Sequence, residues 1–340
     1  VGGIGSADEI LKHLLDREIV SRASAVDGNI LVITDSEKAY FRVLDKNGEQ
    51  FFVRSGGERF AREAGLYERV RDDERLAPLR PLIPDLVEVD RERELLVVRT
   101  FGKANDVIEH HRMVTRPAEW LPPLIGGWLA MLHRSTAGIA DASLPRELPQ
   151  PLLAAGGSVG QAPAVAGAIR RIADGWRSSA IIHGEPSFER IFVASEGERR
   201  IHLAAWDEVR LGDEAWDVAT VIESYYAWSL DPDIVKTFEG PVCPLTSGDL
   251  RALVLAFWTS YVAVAGLPPP DAHSLLLRAF EYAGARLLSR IDRMLIKPET
   301  AMAATPMIQA AMAMLTTPAV VADVFLTPPP PVLPQAWAAL

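Results

Sequence analysis

With 340 residues, 49% of them apolar, the chain can bury a large core, and its length allows two domains or lobes. Lys+Arg number 35 against 45 Asp+Glu, a formal net charge of -10. No basic block is interleaved with aromatics, so a nucleic-acid interface is unsupported and neutral or cationic partners fit better. One cysteine, Cys243, excludes an internal disulfide framework and a cysteine-based metal cluster, and its size suits a core position. No signal pattern opens the chain and no uncharged run reaches bilayer-spanning length, so it reads as soluble and cytoplasmic, without a membrane partner.

In chain order, Ser6 to Glu9 forms a capping box, and Ile10, Leu11, Leu14 and Leu15 then share one helical face. His13 lies off that stripe, which places it at the surface. Turn signals at Asp27-Gly28 and Asn47-Gly48 divide β-rich runs at 29–34, 39–43 and 50–54, the last two reading as an antiparallel hairpin. A helix is expected from Glu58 to Arg69. The charged run Asp90 to Glu94 reads as a solvated hairpin tip before an apolar strand from Leu95 to Val98. Pro122 to Arg134 is an apolar helix. The adjacent pair His110-His111 cannot face one metal from a helix as an i, i+4 pair would, so no metal site is assigned.

Residues 148–160 are rich in Pro, Ala, Gly and Ser and read as a loop, followed by an amphipathic helix from Ala164 to Trp176. Helical segments are expected at Val218 to Trp228, Leu250 to Ala265, His273 to Arg290 and Met302 to Leu315. Four of the seven methionines fall in the last of these, which reads as core. The tail from Thr327 to Trp337 is polyproline-like.

The chemistry-bearing stretch runs from Ala180 to Ala219. An apolar strand ends in His183-Gly184, a polar loop follows, a second apolar run carries Trp206, and Gly212-Asp213 opens a helix holding Trp216 and Asp217. This layout resembles aminoglycoside-phosphotransferase-like kinases, whose pattern runs H-G-D-x-x-x-x-N, then x-D-W-E, then G-D-P-x-W-D-L-A. The likeness extends from Leu14 to about Leu287, and it implies an α+β, bilobal fold. Residues 1–103 would form a β-rich N-lobe with a leading helix, 104–326 a mainly helical C-lobe and 327–340 a Pro-rich tail. The N-lobe and C-terminal helices further resemble a subset of these kinases that works with lyases in making thioether-bridged ribosomal peptides of the lanthipeptide kind.

Kinase chemistry uses a carboxylate to orient the acceptor hydroxyl, an Asn and an Asp on metal, and a strand Lys paired with a helix Glu. On the resemblance, those places hold Glu185, Arg190, Ala205, Arg54 and Glu63, while Ser187 replaces a loop Lys. Thr100 to Lys103 resembles the interlobe hinge. The loop Asp35 to Lys38, where phosphates would be covered, has no Gly, and Glu37 would repel them. A guanidinium at Arg190 repels a divalent ion and is expected to pair with Glu185, closing the site. Asp207 and Glu208 are displaced from the strand position that a metal ligand needs.

The expectation is a pseudokinase with no cofactor, ATP and Mg²⁺ binding being weak or absent. Arg54 and Glu63 would form a structural ion pair at the ATP-site position. A peptide or partner protein would bind in the interlobe cleft around Glu185, Arg190 and Asp207. Two alternatives stand beside it: a divergent phosphotransferase acting on a small molecule or peptide Ser/Thr, and a metal-free cyclase. In the cyclase, Glu185 as base and Arg190 as oxyanion partner would add a Cys thiol to a dehydro residue.

Overall fold

The computed structural model describes residues 6–35, 40–46, 48–100, 102, 104–114, 116–139, 143–155, 162–194, 199–230, 245–294 and 301–327. Strands β1 (Ile30–Asp35), β2 (Tyr40–Asp45), β3 (Gln50–Ser55), β4 (Asp85–Asp90) and β5 (Leu95–Thr100) form one antiparallel sheet in the order β1-β2-β3-β5-β4. The expected hairpin is present, with Phe41 opposite Val53 and Val43 opposite Phe51.

Successive side chains on a strand point to opposite faces, so Phe41, Val43, Phe51, Val53, Leu95 and Val97 line one side of the sheet. Helix α1 (Ala7–Asp16) covers that side with Ile10 and Leu14, and the Ser6–Glu9 capping box fixes its start. His13, expected at the surface, is instead buried on α1. Its Nε2 lies 3.0 Å from Glu88 and its Nδ1 2.9 Å from Arg93, because strand β4 and the charged turn after it fold against the helix and supply polar partners.

The opposite side carries Tyr40, Arg42, Phe52, Arg54, Leu96 and Val98. It faces helix α3 (Gly57–Asp72), which turns Phe60, Glu63, Ala64, Tyr67 and Val70 inward, so a Glu is carried in on an apolar stripe; a short helix α2 (Arg22–Val26) precedes β1.

The C-terminal part is mainly helical. It comprises β6 (Ala104–Asp106), α4 (Val107–Arg112), α5 (Leu121–Thr136), α6 (Gln150–Ala154), α7 (Pro163–Asp174), β7 (Ala180–Ile182), β8 (Ile191–Ala194), β9 (Ile201–Leu203) and β10 (Arg210–Gly212). Helices α8 (Glu214–Leu230), α9 (Ser247–Ala265), α10 (Pro269–Met294), α11 (Ala301–Thr316) and α12 (Pro318–Leu326) follow. Two small sheets, β6-β8-β9 and β7-β10, hold the loops between α7 and α8. The stretch expected as a loop at 148–160 contains α6, whose Leu152 packs into the core, so an apolar anchor outweighs the loop-forming composition. Helix α8 is buried almost all round and forms the axis of this part.

Helix α9 contains a segment, Gly248–Ala265, that is long and apolar enough to cross a membrane, the one such single helix among the described residues. Its Phe257, Trp258 and Tyr261 are buried, and it crosses α5 so closely that a Cβ on Gly126 would lie 2.2 Å from the Phe257 carbonyl oxygen. On α11, Met307 and Met314 are core residues, whereas Met312 is exposed. Cys243 and the Pro-rich stretch at 328–340 lie outside the described residues.

The α5–α9 crossing gives a first prediction. Gly126→Ala should destabilise the protein by about 1–3 kcal/mol because backbone must move. Gly127→Ala, which meets Ser260 Oγ at 3.4 Å, should cost much less in the same urea melt.

Candidate functional site

The loop after β7 is held by groups that bind its backbone. The Asp217 carboxylate on α8 accepts the His183 N–H at 2.8 Å and the Gly184 N–H at 2.9 Å, and Trp216 Nε1 donates to the Gly184 carbonyl at 2.7 Å. Gly184 has φ +83°, and a Cβ there would meet the Glu208 carbonyl oxygen at 2.2 Å, so only glycine fits. His133 bridges Asp217 and Tyr261, while Asp213 receives Arg278 and Tyr282. Burial pushes the His183 pKa down to about 4. The neutral ring donates from Nε2 to the Ala204 carbonyl and accepts the Glu185 N–H at Nδ1. These contacts fix the loop's shape whatever chemistry it hosts.

At the centre of the interlobe region lies Asp207, with no exposed surface, on a single 3-10 turn at Trp206–Glu208. Arg190 Nη1 reaches its Oδ1 at 2.6 Å, Arg54 Nη2 lies 3.3 Å from the same oxygen, and Arg59 Nη1 is 3.5 Å from Oδ2. Burial alone would raise the Asp207 pKa, but Arg190, Arg54 and Arg59 outweigh it and hold the carboxyl below its ordinary value. Arg190 also donates to the Ala205 carbonyl at 2.7 Å. Ala205 has φ +60°, a left-handed conformation that costs an L-residue roughly 1–2 kcal/mol and here points its carbonyl at the guanidinium.

Arg54 and Glu63 form the ion pair that the sequence suggests, Nε to Oε2 at 3.0 Å, and the other Glu63 oxygen accepts the Trp206 N–H at 2.9 Å. Burial and the neighbouring Asp207 charge raise the Glu63 pKa, an effect that Arg54 offsets only in part.

The expected Arg190–Glu185 pair does not form. Arg190 is turned toward Asp207, and Glu185 is gripped by Arg286 of α10 through two bonds of 2.7 and 3.0 Å. Arg286 stacks over Trp216, and behind it Glu223 binds Arg290 at 2.6 Å. Burial raises the Glu185 carboxyl, but Arg286, with Arg190 and His183 adding, overrides it and leaves the pKa at about 2. Glu185, Arg190 and Asp207 therefore sit in one region as expected, but each is bound to protein groups.

The space for a nucleotide between the small sheet and the floor strand β8 is filled. The Phe52 ring meets Phe192 edge-on with centroids 4.6 Å apart. Arg42 lies over Phe192 and donates to the Ala104 carbonyl at 2.8 Å, where Gln50 also donates at 3.2 Å. The cavity remaining among Tyr40, Phe52, Arg54, Glu63, Leu96 and Ala205 has a volume of about 10 Å³, room for about one water. Among the described residues Mg·ATP is not fitted: the Phe52–Phe192 contact narrows this space, and the Glu63 and Asp207 carboxylates are both committed to guanidiniums.

Among the described residues, a groove of about 970 Å³ stays open between the lobes on the outer side of α3, walled across from it by residues 143–150 and by Glu208 and Arg210.

This architecture is shared with solved kinases. The choline kinase from Cryptosporidium parvum superposes with a TM-score of 0.55 at 9% identity, over 94% of this chain and 98% of that one. A choline/ethanolamine kinase family protein from Mesorhizobium loti gives 0.53 at 16% identity, over 92% and 98%. An ADP-bound aminoglycoside phosphotransferase gives 0.50 at 11%, over 91% and 99%. No family model and no curated protein sequence matches the chain. The protein thus has a protein-kinase-like fold, α+β and bilobal. Within that class its fold is that of the aminoglycoside phosphotransferases and choline kinases.

Sequence reasoning missed Arg286, Arg59, Arg42 and the Phe52–Phe192 contact. Arg286 and Arg290 stand four apart on α10, and a pair of arginines on one stripe of a largely buried helix is a signal for buried carboxylate partners. No local signal pairs Phe52 with Phe192.

Two predictions arise here. Arg54→Met and Glu63→Met should each destabilise by about 3 kcal/mol, since each strands a buried charge, and the double variant should lose less than the sum in urea melts. The Glu185 pKa, about 2 against an ordinary 4.5, means that the folded state keeps its carboxylate ionised while the unfolded chain takes up a proton. That stability, on the order of 3 kcal/mol, is present above about pH 4.5 and lost as pH falls toward 2. Glu185→Gln should flatten this part of the acid-denaturation profile. Buried neutral His183 and His202, both lowered by burial to about 4, should add an earlier loss that begins below about pH 6.5 in both proteins.

Proposed function

We propose that this chain is a pseudokinase, a kinase-fold protein that binds a peptide or partner protein between its lobes and does not transfer phosphate. The observation that carries this reading is the Arg190–Asp207 bond of 2.6 Å, which sets a guanidinium where a phosphotransferase would need a divalent cation. The Phe52–Phe192 contact and the Arg42 bond to the Ala104 carbonyl, just after the hinge-like stretch Thr100 to Lys103, support it independently. With Glu185, Arg190 and Asp207 serving as an internal brace, the groove beside α3 is the accessible part of the cleft and the place for the peptide. The resemblance of the N-lobe and C-terminal helices to kinases of thioether-peptide pathways supports a role in making such ribosomal peptides.

Geometry weighs against the cyclase reading. A carboxyl held at about 2 is a weak base at neutral pH, and Arg190 Nη1 is committed to Asp207 and the Ala205 carbonyl.

Thermal denaturation with millimolar ATP and Mg²⁺ should leave Tm unchanged, and no phosphate should transfer to a precursor peptide. A Tm shift at micromolar nucleotide would restore the phosphotransferase reading, because linkage then requires a working site. Calorimetric titration with the candidate precursor peptide should show binding in the absence of nucleotide.

A further inference from the structure

Resting on the proposal that this groove binds a peptide, we infer that the groove selects an acidic stretch, a segment in which Asp or Glu side chains recur. Its lining contains five arginines, Arg59, Arg62, Arg69, Arg146 and Arg210, against three glutamates. The chain as a whole carries -10, so this local excess of positive charge runs against the sign of the molecule. Its volume of about 970 Å³ lies at the top of the range, roughly 300–1,000 Å³, that ligand sites occupy.

The arginines divide into a floor and a rim. Arg62 and Arg210 are anchored: Arg62 donates to the Asp207 carbonyl at 3.1 Å, and Arg210 to the Glu147 carbonyl at 3.1 Å and the Glu208 carboxylate at 2.6 Å. Arg69 donates to the Ser143 hydroxyl, tying α3 to the opposite wall. The rim is Arg59 and Arg146. Arg59 is 48% exposed and touches Asp207 and Glu208 only at 3.5 Å, distances that leave its donors available to a better-placed carboxylate. Arg146 is exposed and makes no ion pair among the described residues. Glu208, the carboxylate nearest the floor, is already shared by Arg59, Arg62 and Arg210. Beyond Arg69 the continuing wall carries Glu68, Asp72, Asp73 and Glu74, each already ion-paired, with Arg91, Arg71, Arg75 and Arg80 respectively. The available guanidiniums therefore lie at the Arg59 and Arg146 rim, where an acidic segment is favoured. Guanidiniums facing a groove with Pro145 and Leu148 suit carboxylates interspersed with small apolar residues.

The experiment is fluorescence anisotropy of the full chain with two labelled peptides of about ten residues, one alternating Glu with Ala and Leu, the other carrying Gln in place of Glu. The expected result is saturable binding of the acidic peptide only, weakened by raising salt from low to physiological strength. Arg146→Glu and Arg59→Gln should lower its affinity roughly fivefold to tenfold each, while Arg112→Glu on α4 should not, melting curves showing that all three fold. Equal binding of both peptides, abolished by Ala61→Trp in the groove, would overturn the acidic assignment and leave the groove reading standing. Binding of neither peptide would overturn both. Tighter binding of a single-stranded oligonucleotide than of the acidic peptide would overturn the peptide in favour of nucleic acid.

Discussion

A carboxylate without exposed surface, Asp207, is the point at which strand β3, helix α3 and the loop after β7 are joined. A lone buried charge would be too costly to keep, and it is the convergence of Arg54, Arg190 and Arg59 that makes it tolerable. The arrangement couples the lobes: removing Arg54 or Arg190 leaves the acid undercompensated, and separating the lobes would expose the set to water. In a working phosphotransferase a divalent cation stands near this position and charges of the nucleotide balance it. Here the balance is internal, so the brace is complete without a ligand.

A second charge cluster repeats the logic deeper in the helical lobe. Glu185, at the place where a catalytic acid would meet a hydroxyl, is clamped by Arg286, and Glu223 and Arg290 complete the set. Both clusters act as structural joints. The surrounding framework, Asp217 on the loop amides and Trp216 on the Gly184 carbonyl, holds backbone and is indifferent to which side chains the loop carries. That indifference is a physical reason why the fold tolerates different side chains in this loop.

The closed centre also redirects attention to the outer side of α3. Packing Phe52 against Phe192 seals the nucleotide space with apolar contact, whereas the groove between α3 and residues 143–150 remains wet and charged. This groove is built from residues of both lobes, and any ligand that bridged its walls would favour the same closed arrangement that the Asp207 brace already imposes.

The sequence by itself determined most elements, because period-two and period-3.6 patterns and capping residues are local properties, and its resemblance to aminoglycoside-phosphotransferase-like kinases implied the fold class. The Ser6–Glu9 box, the β2–β3 hairpin and the inward Glu63 all belong to this group, as does the Arg54–Glu63 pair, whose partners sit nine residues apart at adjoining elements. Which acid Arg190 would meet was settled only by the tertiary structure: Asp207 is swung inward by a single 3-10 turn through the left-handed Ala205, and Arg286 arrives from 101 residues away to take Glu185. His13 went inside for the same reason, a distant hairpin bringing Glu88 and Arg93 to it. Ion-pair choice depends on distance and desolvation, quantities that exist only once separate elements have packed.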